Sequence, residues 1–260
     1  MVQEFPFVEG EISGVKGKLM LDTGMEQALT INDHRVPLTG GHLSGTGYFG
    51  SGQTFQTRMN EVVPNIKIGA MQYNRATQVA SQDSTLLEEI TPDFIGWIGY
   101  YFWHGYAMKL DYARLEATFY KGPAEEYLAG EKVLAVIPFE TSKLLNHPLV
   151  HIKIGNVDAM AAFDTGQYGS LFTDEQTKAL LVQTGSLSNE RDNDFDLKDL
   201  TMGGKSLPVI PKIHVSTSVF PAAEPIGISE RNILTIGYGL LSQYKTIWDW
   251  KSHRIYFLAR

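Results

Sequence analysis

Asp-Thr-Gly occurs twice in this chain, at Asp22-Thr23-Gly24 and at Asp164-Thr165-Gly166. Each copy follows a strand-like run, Lys18-Leu19-Met20-Leu21 and Ala161-Ala162-Phe163. At average residue usage a given tripeptide of common residues turns up about once in 5000 positions. One copy would be an ordinary strand-to-turn sequence. Two copies supply a pair of carboxylates, which is a chemical device. Two facing carboxylates do not both ionise readily. One keeps a proton and acts as an acid, and the other is a base able to activate water.

The elements that must position these residues are repeated as well. The first half carries Ile98-Gly99-Tyr100, Tyr106 and Asp111-Tyr112; the second carries Ile236-Gly237-Tyr238, Tyr244 and Asp249-Trp250. In both halves the tyrosine follows the glycine by 7 residues and the aspartate by 12. Gly99 lies 77 residues after Asp22, and Gly237 lies 73 after Asp164. A fainter echo links Ile66-Lys67-Ile68-Gly69 to Leu200-Thr201-Met202-Gly203-Gly204. A period near half the chain is too long for a solenoid and fits two duplicated domains.

On these motifs the chain resembles the bilobal aspartic peptidases of the pepsin/retropepsin-like superfamily, over nearly its whole length. It is shorter than typical pepsins, and its style is closer to two fused bacterial retropepsin-like domains. The resemblance implies an all-β, bilobal acid-protease-like β-barrel fold with two pseudo-symmetric lobes and few short helices. Trp97-Ile98-Gly99 and Thr235-Ile236-Gly237 are similar to the elements that cross behind the two catalytic loops. The implied catalytic pair is Asp22 and Asp164, facing each other across the lobes with a water between them. Thr23 and Thr165 would hold the loops in register. Gly24 and Gly166 would let the backbone approach closely and donate N–H groups. A flap is expected from Gly41 to Thr57, with Tyr48 or Phe49 covering substrate.

Two positions depart from the family pattern. Pepsin-like enzymes follow the triplet with Ser or Thr, whose hydroxyl bonds the outer carboxylate oxygen. Here Met25 and Gln167 follow, both bulky. Retropepsins often have Ala there. Without that hydrogen bond the lower pKa of the pair is expected to rise.

The expected activity is endopeptidase hydrolysis of a peptide or protein substrate by an activated water, with no covalent intermediate and no cofactor or metal. The alternative is a peptide-binding or inhibitor-like protein on the same fold that does not cleave. A net charge of −7 argues against nucleic-acid binding, which needs a basic face. No apolar run reaches the length of a membrane span. The absence of cysteine excludes disulfides and thiolate chemistry. No Gly-rich phosphate loop followed by Lys-Ser/Thr is present. His147 and His151 are spaced by four, but Pro148 and the strand pattern argue against a helical metal pair. A monomer is expected, periplasmic or secreted with its leader removed, or alternatively cytoplasmic.

Strand signals dominate the 260 residues, whose 43% hydrophobic and 20% charged content is that of a globular chain. Phe5 to Ile12 and Val15 to Leu21 read as a hairpin around Ser13-Gly14; Leu149 to Ile154 and Val157 to Phe163 repeat it around Gly155-Asn156. A capping-box pattern at Thr173 to Gln176 predicts a helix over about 174–183. Ser84 to Ile90 reads as another helix, stopped by Pro92. The acidic stretch from Glu190 to Asp199 reads as a solvated loop, with a calcium site as a minor alternative. Trp97, Tyr100, Phe102 and Trp103 read as core aromatics. The expected lobes are 1–122 and 131–260, joined by 123–130, with Lys132 to Phe139 as a strand.

Overall fold

A computed structural model describes residues 4–48 and 53–260. Strands account for 50% of the chain and helices for 12%, which sets the class as all-β with barrel character. The chain divides into two compact units, one up to Phe102 and one from Trp103.

The first unit is built from β1 (Phe7–Ile12), β2 (Val15–Leu21), β3 (Leu29–Asn32), β4 (His42–Tyr48), β5 (Thr54–Ile68), β6 (Met71–Gln82) and β7 (Phe94–Ile98). The sheet order is β1-β2-β7-β3-β6-β5-β4, and β5 also pairs back onto β1 through Gly10↔Ile68 and Ile12↔Ile66. Six of the seven strands therefore close into a barrel, and β4 extends the sheet beyond β5. β1 and β2 form the expected hairpin, with Ser13 and Gly14 at positive φ in its two-residue turn. Ile12, Leu19, Ile31, Ile66, Ile95 and Ile98 are fully buried. Burying such a side chain is worth about 1.5–3 kcal/mol. A second cluster holds Met20, Phe94 and Trp97, with Phe5, Phe7 and Met25 packed on it. Ser84 to Ile90 forms only a 3-10 turn, Thr85–Glu89. Five residues before Pro92 are too few for a stable α-helix.

Short helix α1 (Tyr100–Trp103) leads into the second unit. Its strands are β8 (Ala107–Asp111), β9 (Glu116–Tyr120), β10 (Val133–Pro138), β11 (Leu149–Ile154), β12 (Val157–Phe163), β13 (Gly169–Phe172), β14 (Leu187–Arg191), β15 (Asp194–Leu197), β16 (Leu200–Met202), β17 (Lys205–Ser206), β18 (Ile210–Ser216), β19 (Ile233–Ile236), β20 (Lys245–Asp249) and β21 (Arg254–Leu258). They form a nine-stranded curled sheet, β14-β15-β18-β13-β19-β12-β11-β16-β17, and a five-stranded sheet, β10-β21-β20-β8-β9. Phe163 meets Trp248 edge to face, at 5.8 Å between ring centroids, and both rings are fully buried.

The duplication read from the sequence is present in the strand pairing. β2 runs parallel to β7 (Leu21↔Ile98), β7 antiparallel to β3, and β3 parallel to β6. In the second unit β12 runs parallel to β19 (Phe163↔Ile236), β19 antiparallel to β13, and β13 parallel to β18. The faint echo is also a matched pairing: Ile12↔Ile66 in one unit corresponds to Ile154↔Leu200 in the other.

Four helices fall in the second unit: α2 (Ala124–Tyr127), α3 (Glu175–Gln183), α4 (Ala223–Ile226) and α5 (Tyr238–Leu241). The α3 cap is Asp174, whose side chain accepts from the Thr177 N–H at 2.7 Å. The acidic stretch is not a loop but the β14–β15 hairpin. Asp192 and Asn193 take the positive φ its tight turn requires, and Phe195 and Leu197 alternate inward. Tyr100, Trp97 and Trp103 are buried as expected, while Phe102 is half-buried.

Candidate functional site

Each Asp-Thr-Gly begins where a strand ends against its parallel neighbour. In the first unit β2 stops at Leu21, and the Asp22 N–H donates to the Ile98 carbonyl at the end of β7, at 3.0 Å. In the second unit β12 stops at Phe163, and the Asp164 N–H donates to the Ile236 carbonyl at the end of β19, at 2.9 Å. The chain then turns back on each carboxylate. The Gly24 N–H donates to Asp22 Oδ1 at 2.7 Å, and the Gly166 N–H donates to Asp164 Oδ1 at 2.8 Å. Donation by a backbone N–H stabilises the charged form of a carboxylate and fixes its plane.

Burial follows the same pattern in both loops. The aspartates are half-buried, while Thr23 and Thr165 are fully buried. A half-exposed carboxylate on a rigid base is reachable by water. A buried threonine in the middle of a turn is there for internal bonding rather than solubility.

The turns are held from below by the glycine elements. After Gly99 the Tyr100 N–H donates to the Met25 carbonyl at 2.8 Å; after Gly237 the Tyr238 N–H donates to the Gln167 carbonyl at 2.9 Å. The next residues repeat the pattern, Tyr101 to the Glu26 carbonyl at 3.2 Å and Gly239 to the Tyr168 carbonyl at 3.0 Å. These N–H groups open α1 and α5, where the first turn of a helix has no partner of its own. The loop carbonyls satisfy them, so each Asp loop is clamped to a helix start.

The position after each triplet is where the copies part. Met25 has a thioether, which cannot donate, and it packs against the Met20, Phe94 and Trp97 cluster. Gln167 turns its side-chain amide to Asp164, with Nε2 donating to Oδ2 at 3.4 Å. The hydroxyl is absent at both positions, as read from the sequence, and at Gln167 a side-chain amide bonds the carboxylate in its place. A long amide side chain reaches back to the oxygen that a hydroxyl would have served.

Tyr112 was not marked as a site residue by the sequence. It follows β8, its ring meets Tyr238 edge to face at 5.5 Å, and Tyr238 in turn packs near Tyr168 at 6.1 Å. Its hydroxyl is buried without a hydrogen-bond partner. Burial first, and the Asp164 charge second, push its pKa above the ordinary tyrosine value, so the phenol stays neutral. The signal that could have found it is the Asp111-Tyr112 and Asp249-Trp250 echo, an aspartate followed by an aromatic residue at the same spacing in both halves.

The flap candidate is in part described. β4 pairs antiparallel with β5, from His42↔Met59 to Tyr48↔Thr54, so a hairpin stands where Gly41 to Thr57 predicted one. Tyr48 closes β4 with its backbone, and Phe49 and the tip lie outside the described residues. Among the described residues no group of His, Asp or Glu is arranged to hold a metal ion. No described helix is long and apolar enough to cross a membrane. No family model matches the chain, and no curated protein matches it.

Proposed function

We propose that the chain is an aspartic-type endopeptidase, a member of the pepsin/retropepsin-like group, in which the two Asp-Thr-Gly loops each supply one carboxylate. The observation that carries this reading is the identity of the two loops at the level of bonds. In both, the aspartate N–H is anchored on the last carbonyl of a parallel strand, and Oδ1 is held by the glycine N–H two residues on. A turn serving only structure has no need to build the same half-exposed carboxylate twice on the same scaffold.

Peptide hydrolysis uses such a pair directly. One carboxylate takes a proton from water as the water attacks the peptide carbonyl. The other, protonated, donates to the carbonyl oxygen as it becomes tetrahedral. The proton is then passed to the leaving nitrogen, and the amine departs. No group on the protein is acylated, so no nucleophilic side chain is needed. One carboxylate must carry a proton while the other is ionised, so the expected activity optimum lies on the acid side of neutrality.

The test is incubation of the protein with a peptide library at a series of pH values, reading new termini by mass spectrometry. Cleavage with an acidic optimum, blocked by a peptide carrying a non-cleavable hydroxyl in place of the scissile carbonyl, is the expected result. Binding of that peptide with no cleavage at any pH would replace the enzyme by a binding protein.

A further inference from the structure

We propose that Thr30 and Gln82 build a binding site for one water molecule inside the first unit, and that this water joins β3 to β6. The inference does not rest on the peptidase reading. Thr30 and Gln82 are each 2% exposed. Thr30 Oγ1 and Gln82 Nε2 are fully covered, and neither has a hydrogen-bond partner among the described residues. An unpaired buried hydroxyl or amide is costly, so a native fold supplies it with a partner, either protein or ordered water.

The strand register brings the two groups together. β3 runs parallel to β6, with Thr30 beside Ala80 and Asn32 beside Gln82. Alternation along each strand puts these four residues on one face of the sheet, with Thr30 diagonal to Gln82. Ala80 carries only a methyl group, so it takes little of the corner between them. On its other side Thr30 is flanked by Trp97 of β7. Asn32, the polar neighbour, is fully used. Its amide donates to Glu88 Oε1 and to the Phe94 carbonyl, both at 2.9 Å, and its oxygen accepts from the His34 N–H at 3.3 Å and the Ser84 N–H at 3.1 Å. Two hydrogens and two lone pairs are all that such a side chain has.

Nearby polar groups are paired directly. On the opposite face Asn60 donates to the Val79 carbonyl and the Ser81 hydroxyl, and Ser81 donates to Asp33, all at 3.0 Å. In the second unit Ser170 faces Thr235 as Thr30 faces Trp97. There the Thr235 hydroxyl accepts from the Ser170 N–H at 2.9 Å and donates to its carbonyl at 3.2 Å. Thr30 and Gln82 lack such protein partners, and water suits both. The amide nitrogen can only give, while the hydroxyl can give or accept. A water oxygen takes the amide hydrogen and exchanges one hydrogen bond with the hydroxyl. A buried water needs two to four such partners. β3 follows the Asp22 loop, and Gln82 is in register with Thr57, which pairs with Gly45 of β4. The water therefore ties the strand after that loop to the root of the β4–β5 hairpin.

The experiment uses Thr30→Val, Gln82→Met and the double variant, which keep the size of each side chain and remove its polar atoms. Each single variant leaves the water with one partner, so its denaturant midpoint should fall, with the equilibrium constant for unfolding raised about tenfold. The double variant removes both groups and should lose clearly less than the sum of the two singles. A crystal structure of the unaltered chain should show a water within hydrogen-bond distance of Thr30 Oγ1 and Gln82 Nε2. Single variants more stable than the wild type would mean that the two groups are buried dry and unpaired, and would overturn the proposal. A crystal structure with no water in that corner, or with the two side chains turned to protein partners, would overturn it as well.

Discussion

Gly237 runs so close behind Gln167 that a methyl group on it would lie 1.9 Å from the Gln167 carbonyl oxygen. Gly99 stands in the same relation to Met25, at 2.3 Å from its carbonyl oxygen. Both contacts are with backbone, which cannot swing aside. Gly99→Ala and Gly237→Ala should therefore each cost about 1–3 kcal/mol by overpacking and should loosen the neighbouring Asp loop. Gly185→Ala is the comparison: its φ is positive but nothing lies within 4 Å, so only local strain of about 1 kcal/mol is expected. Urea unfolding of the three variants measures this; equal costs would show that the close approach is not what makes glycine necessary.

Glu131 accepts from both Lys109 and Lys245 while its side chain is 10% exposed. Burial pushes its pKa up, but the bonds and charges of the two lysines outweigh this and hold it below the ordinary glutamate value. A depressed acid gives stability that is present above the unfolded pKa and lost as pH falls through the folded one. Glu131→Gln strands two lysine charges and should cost roughly 3 kcal/mol near neutrality. The variant should also lose less than the wild type as pH is lowered through the carboxylate range. Denaturant midpoints of the two proteins across that range check both statements.

His34 Nδ1 lies 2.7 Å from Glu88 Oε1. The hydrogen bond first, and the Glu88 charge second, raise the His34 pKa above the ordinary histidine value. A raised histidine stabilises the fold fully below its unfolded pKa, and that contribution disappears as pH rises through the folded one. Proton NMR titration of His34 should show the raised midpoint, and Glu88→Gln should bring it down. A midpoint indifferent to Glu88→Gln would mean that the pair is not formed in solution.

Met25 packs in the first unit against the cluster of Met20, Phe94 and Trp97. Met25→Ser removes that contact and should lower stability by about 1–2 kcal/mol, since the site is only partly buried. Thermal melting tests this; an unchanged midpoint would show that the side chain contributes no packing.

The hairpins were legible because short-range chemistry sets them. Ser13-Gly14 and Gly155-Asn156 are turn pairs, and the runs beside them carry the strand signal, so β1–β2 and β11–β12 could be bounded to a residue or two. The duplication was legible because its landmarks, Asp22 with Gly99 and Asp164 with Gly237, must keep their spacing if strand end and glycine are to meet. The parallel pairings β2–β7 and β12–β19 were not legible on local grounds, because each joins residues more than 70 apart. The β14–β15 hairpin was missed because its charges hid the alternation of Phe195 and Leu197. The Gln167 bond to Asp164 was not legible because residue type alone does not tell whether a long side chain turns outward or folds back on its own loop. Tyr112 was passed over because its place beside Tyr238 depends on β8 joining β20 in one sheet.

Peptide cleavage by three proteins, the wild type, Asp22→Asn and Asp164→Asn, tests the carboxylate pair most directly. The asparagine variants keep the shape of each loop and remove only its acid–base function. The predicted result is acidic cleavage by the wild type, a loss of about a thousandfold or more in each variant, and thermal midpoints close to the wild type. Cleavage retained at the wild-type rate in either folded variant would contradict the assignment of one carboxylate to each Asp-Thr-Gly loop.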